Sequence, residues 1–179
     1  MNITIDKSIF GLLESPVNFS MRKGPAYYSP SEKAVYIKPI KRFKDSKDMA
    51  ERVVYHEFGH AIDDQKQYYK SDAIKDMMKK YRDQHFTRKI DFSSIDTELI
   101  KETRSTTDND IREKILSLRD TIMSLNTNYG AGHTRSYFNR PYMKEKEFIA
   151  HMFENKFMGN DIFEKYMPEL YKDMVNFEL

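Results

Sequence analysis

Residues 47–65 carry two patterns at once, and only a helix satisfies both. Met49, Val53, Val54, Phe58, Ala61 and Ile62 recur at the three- and four-residue spacing of a helix with one apolar face. On the adjoining face stand His56, Glu57 and His60, in the run His-Glu-Phe-Gly-His. With about 3.6 residues per turn, positions i and i+4 project side by side, so the two imidazoles can meet one tetrahedral ion from the same side. Glu57, one step round the helix, is turned from such an ion but can reach a water bound to it. Ser46 is the expected N-cap, with Asp48 in the first turn.

The rest of the composition narrows the ion's ligands. The chain has no cysteine, so any site must be built from histidine and carboxylate, and zinc is the expected ion. A reactive zinc site has three protein ligands and one open position. The candidates for the third ligand are Glu145, Glu147, His133, His151, Glu154 and His85. Glu147 is preferred, because it opens an aromatic-rich helix that can hold it rigidly. His151, four residues on, is an alternative ligand or a support for one. Asp63 and Asp64 are placed to accept the second ring N–H of a ligand histidine. His133, flanked by glycine in Gly-Ala-Gly-His, and Tyr137 and Tyr142 are candidate donors to a developing oxyanion.

Along the chain, residues Ile3–Leu13 read as a short strand or helix, followed by a loop through Pro16 and Gly24. Ala26–Ser29 and Ala34–Lys38 read as strands joined by turn residues, a β-hairpin. Helices are expected over Lys47–Gln65, Ser71–Phe86, Asp110–Asn126 and Tyr142–Phe157, with a last one over Phe163–Phe177 broken at Pro168. Residues 91–107 read as a polar connector with a short helix at Ser94–Thr103, and Asn128–Pro141 as a structured loop. The expected class is α+β: a mostly helical domain with a small antiparallel sheet before the His-Glu helix. At 179 residues this is one domain, with a helical insertion at about 66–127.

Charge and hydropathy exclude other classes. With 30 basic and 28 acidic residues, there is no strong electrostatic case for nucleic acid, and none is expected as a partner. The first 47 residues are locally basic, as a solvated edge or a groove for an acidic partner. No apolar run is long enough for a membrane span, and the N-terminal segment has no apolar core of a signal peptide. A cytoplasmic or virion location is expected.

Tyr-Tyr-Ser-Pro-Ser-Glu-Lys-Ala-Val-Tyr-Ile, then His-Glu-Phe-Gly-His-Ala-Ile-Asp-Asp, then Lys-Glu-Phe-Ile-Ala-His-Met-Phe resemble the lethal-factor-like zinc peptidases, a gluzincin group. Gly-Ala-Gly-His-Thr-Arg-Ser-Tyr-Phe and the segments after it are more similar still to metallopeptidase domains of phage minor head proteins. The resemblance covers about 25–65 and 128–175. It implies a zincin-like fold, zinc held by His56, His60 and Glu147, and Glu57 as general base on a protein or peptide substrate. It also implies phage structural proteins as partners, and substrate pairing with the strand before the helix, Ala34–Lys38. The family places a tyrosine seven residues before the ligand glutamate, where this chain has Arg140, and an acid four residues after it, where this chain has His151. The departure at 140 favours an alternative: a non-catalytic head-assembly module that keeps the zinc site.

Overall fold

The computed structural model describes residues 5–38 and 47–178, with the backbone alone for 47–49. Ser46 and the side chains of Asp48 and Met49, expected to start the first long helix, lie outside the described residues, as does Ile3.

The architecture is α+β: a three-stranded sheet, then a mostly helical remainder. Strands β1 (Asn18–Met21), β2 (Tyr27–Ser29) and β3 (Ala34–Ile37) lie in the order β1-β3-β2. The hairpin is present, with β2 antiparallel to β3 and Tyr28 opposite Val35. The sheet as a whole is mixed, however, because β1 runs parallel to β3, Phe19 opposite Val35. This strand occupies the segment read as loop from Pro16 to Gly24. All four of its residues are exposed, so it is held by backbone pairing and leaves no alternation in the sequence to read. Its presence also corrects the expected substrate pairing along Ala34–Lys38, which needs a free edge: β3 is central, and its backbone groups are engaged on both sides. Before the sheet, Lys7–Leu12 forms a short 3-10 helix capped by Asp6.

Helix α1 (Lys47–Lys66) buries Val54, Phe58, Ala61 and Ile62, with Val53 half-buried. Asp63, near its end, accepts from Tyr69 N at 2.8 Å and so fixes the turn into α2 (Asp72–Phe86). Ser71 caps α2, accepting from Ile74 N. Helix α3 (Phe92–Ser105) is longer than the short helix expected. Asp91 caps it, and Phe92 and Leu99 are fully buried, so two widely spaced apolar anchors suffice in an otherwise polar segment.

Helix α4 (Asn109–Leu125) buries Ile115, Leu118, Ile122 and Leu125 on the expected stripe. Ser117, Asp120, Thr121 and Ser124 are buried beside it, so this helix buries two faces. The loop after it contains one helical turn, α5 (Arg135–Phe138). Helix α6 (Met143–Met158) is buried from Glu147 to Asn155. Pro168 divides the last helical region into α7 (Asp161–Tyr166) and α8 (Pro168–Val175), as a residue lacking a backbone N–H must. One hydrophobic core runs from Ile9 and β3 through α1, α4 and α6 to α8, and takes in Ile74, Phe92 and Leu99 of the 66–127 segment. Among the described residues, no helix is long and apolar enough to cross a membrane.

Candidate metal centre

The site is made by the crossing of α1 and α6. The two helices run in opposite directions: Arg52 meets Glu154, and His60 meets Glu147. Their backbones approach closely at Gly59. A Cβ there would lie 3.0 Å from both Ala150 Cα and Phe153 Cβ, so the glycine of His-Glu-Phe-Gly-His is required by packing. The crossing sets Arg52, His56 and His60, one helical turn apart, against Glu147, His151 and Glu154, also about one turn apart.

His56 Nε2 lies 3.4 Å from Glu147 Oε2, and His60 Nε2 lies 3.5 Å from Glu147 Oε1. These three residues could hold a metal ion. Ligands about 2.05 Å from one tetrahedral ion are spaced roughly 3.3 Å apart, so the separations fit a shared ion better than direct hydrogen bonds. Glu147 is 1 % exposed, yet its Oε2 has no hydrogen-bond partner, an arrangement that costs free energy unless a cation completes it. Glu147 Oε1 accepts from the Tyr137 hydroxyl.

Charge around the centre is divided unequally. Burial disfavours the charged form of His56, but Glu147 and Glu154 on its two sides more than offset this, and its pKa rises well above 6.5. Burial lowers His60 to about 4, which leaves its ring neutral and available as a ligand. Burial opposes ionisation of Glu147 too, but His60, His133 and His56 around it hold its carboxyl well below the usual range. Glu57 is 7 % exposed, and burial, with a contribution from Glu147, raises it to about 7. A carboxylate at that value is poised to take up and release a proton near neutrality.

The second ring nitrogen of His56 is answered by Glu154, not by Asp63 or Asp64. His56 Nδ1 lies 3.6 Å from Glu154 Oε2, and His151 Nδ1 donates to the same oxygen at 3.0 Å. Arg52 Nη1 donates to Glu154 Oε1 at 3.3 Å. Asp63 and Asp64 belong to other contacts: Asp63 to the Tyr69 amide, and Asp64 to the Tyr28 hydroxyl at 3.1 Å. They lie past the point where α6 crosses α1, so sequence spacing along α1 alone was misleading. His151 sits behind the centre, its ring 4.6 Å from that of His56, with Nε2 3.4 Å from Asp120 Oδ2. Burial opposes its charge, yet Asp120 and Glu154 together raise it to about 9.

Of the residues expected to stabilise an oxyanion, His133 and Tyr137 are in the cluster and Tyr142 is outside it. The Tyr137 and His133 rings stack at 3.9 Å, and His133 Nε2 lies 3.3 Å from Glu147 Oε2. Tyr142 is 47 % exposed, and its ring rests on Tyr69. It occupies the left-handed N-cap of α6, which turns it away from the Glu147 face. Arg140, seven residues before Glu147, lays its guanidinium 4.2 Å from the Tyr137 ring centre. Glu145 has no place in any of the ligand groups, and His85 is on α2, against Phe92. Asp120 and Ser117 were not foreseen. Their signal was the polar stripe Ser117, Asp120, Thr121 and Ser124 at helical spacing on α4.

Two hollows, each of about 280 Å³, open on either side of His56 and Glu57. One is lined by Tyr28, His60, His133, Tyr137 and Glu147, the other by Arg52, Ser117, Asp120, His151 and Glu154. Ala26, just before β2, borders both. The arrangement could hold a divalent ion with the buried Glu57 carboxylate beside it, next to the edge strand β2. Compared with protein-family models, with curated proteins and with solved structures, the chain matches no family, relative or fold neighbour.

Proposed function

We propose that this chain is a zinc-dependent endopeptidase of the lethal-factor-like gluzincin type, related to the metallopeptidase domains of phage head proteins. The observation that carries this reading is the convergence of His56 Nε2, His60 Nε2 and the Glu147 carboxylate, with an orphaned Glu147 oxygen between them and Glu57 alongside. His56, His60 and Glu147 would hold the zinc, a set of two imidazoles and one carboxylate that suits this ion. When bound, zinc supplies a Lewis acid that polarises the scissile carbonyl and lowers the pKa of water.

The chain's own groups account for the proton movements. Glu57, at about 7, accepts a proton from the attacking water and delivers it to the departing amine. Tyr137 is raised above the ordinary phenol value by burial and by Glu147, so it keeps its proton at neutral pH. Its hydroxyl, now on Glu147, can turn to the substrate carbonyl oxygen as negative charge develops there. Glu154 and Arg52 hold the His56 ring in place from behind.

An extended peptide would add to β2 rather than to β3. Strand β2 is an edge, and Tyr28 and Ala26 border the hollows beside Glu57. Backbone pairing there binds sequence-tolerantly, and the hollows read alternate side chains. The proposal is tested by incubating the zinc-loaded chain and its Glu57→Gln variant with a peptide library. Cleavage by the wild type and none by the variant, at equal zinc content, supports an enzyme. Zinc bound by a wild type that cleaves nothing supports the head-assembly module, for which Arg140 in place of tyrosine speaks.

A further inference from the structure

Glu147 faces a second set of ligand atoms that the proposed reaction does not use. Asp120, on α4, is 8 % exposed, and its Oδ1 is buried with no hydrogen-bond partner. Its Oδ2 lies 3.4 Å from His151 Nε2 on one side and 3.9 Å from His133 Nε2 on the other. His133 Nε2 in turn lies 3.3 Å from Glu147 Oε2, another buried oxygen without a partner. One ligand atom from each of Asp120, His133 and Glu147 falls within 4.8 Å of the others. The three residues come from α4, from the loop before α5 and from α6, so only the tertiary fold assembles them.

The loop is shaped for this meeting. Gly132 has φ +136°, and a Cβ on it would lie 2.3 Å from Asp120 Cγ. Backbone and carboxylate therefore touch at the residue before His133, in a conformation that only glycine adopts readily.

We propose that Asp120, His133 and Glu147 form a second divalent-cation site, sharing the Glu147 carboxylate with the site of His56 and His60. The proposal rests on the metallopeptidase reading in that shared ligand. One imidazole and two carboxylates make a harder ligand set than two imidazoles and one carboxylate. The second site therefore binds zinc more weakly and also accepts manganese or cobalt. Its loading ties the 126–134 loop to α4 and α6.

The test is a calorimetric titration of the chelator-stripped full chain with Zn2+ alone. Two equivalents are expected, separated by at least ~10-fold in affinity, with the weaker one lost in both Asp120→Asn and His133→Ala. His133 is 39 % exposed, so its removal leaves the core intact if the Asp120 variant fails to fold. His60→Ala should remove the tight equivalent, which identifies the first site separately. A single equivalent in the wild type overturns the second site and leaves the peptidase reading standing. So does a second equivalent that survives both Asp120→Asn and His133→Ala. No binding at all overturns both readings.

Discussion

The α1–α6 crossing and the α2–α3 pair both enclose histidine, and they treat it in opposite ways. On α2, His85 stacks on Phe92 with ring centres 4.5 Å apart and planes 9° apart, and its Nδ1 meets the backbone of Ile90 and Phe92. At the crossing, His56, His60 and His133 aim Nε2 at one carboxylate from 3.3 to 3.5 Å, and a Glu147 oxygen stays orphaned. The contrast teaches that a histidine's burial says little about its role. What distinguishes the crossing is three imidazoles converging on one buried carboxylate that keeps an unpartnered oxygen.

Several substitutions break or sharpen this contrast, and the largest effect is expected at Glu57, the proposed base. Glu57→Gln keeps the shape and removes the proton acceptor, so peptide cleavage should fall by roughly 10²–10⁴-fold with zinc content unchanged. A variant that cleaves at the wild-type rate would sink Glu57 as base. Stripping the metal comes next. At free zinc about 1,000 times its Kd, loading should stabilise the fold by ~4 kcal/mol, read as a fall in Tm on chelation that Glu147→Ala no longer shows. Unchanged Tm in the wild type would mean that the crossing is satisfied without an ion.

Gly59→Ala tests the crossing itself. The added methyl meets Ala150 and Phe153 at 3.0 Å, where overpacking costs ~1–3 kcal/mol, so denaturant unfolding should shift to lower concentration and zinc affinity should fall with it. His85→Ala is the matching change in the other region. Loss of its stack should cost ~0.5–1.5 kcal/mol and leave zinc binding untouched; a drop in zinc content would erase the distinction between the two regions.

A pH-dependent effect is expected at Asp63, where α1 hands over to α2. Burial raises its pKa from the ordinary 3.8 to about 7. Between those values the folded chain binds more protons than the unfolded one, so this contribution is full below about pH 4 and is lost as pH rises to 7. Asp63→Asn cannot titrate but can still accept from the Tyr69 amide. Its stability should therefore fall less steeply over that window than the wild type's. An equal slope in both would show that Asp63 titrates normally.

The sequence by itself determined the helix of His56, Glu57 and His60, the hairpin, and the helix that carries Glu147. Each of these is written in spacing along one element, where the helical period turns sequence distance directly into direction. It could also show that any ion must be met by imidazole and carboxylate, since no cysteine is present. What only the tertiary structure decided is which elements face one another. The pairing of His56 with Glu154 instead of Asp63 or Asp64 depends on how α6 crosses α1, and that is set by the contact of Gly59 with Ala150. The place of Asp120 beside His133 depends on the loop folding back at Gly132. Strand β1 has no buried face, and its parallel pairing makes β3 central and leaves β1 and β2 as the edges, of which β2 borders a hollow beside Glu57. Local period fixes where a side chain points from its own element; the partner it meets depends on close packing between elements far apart in the chain.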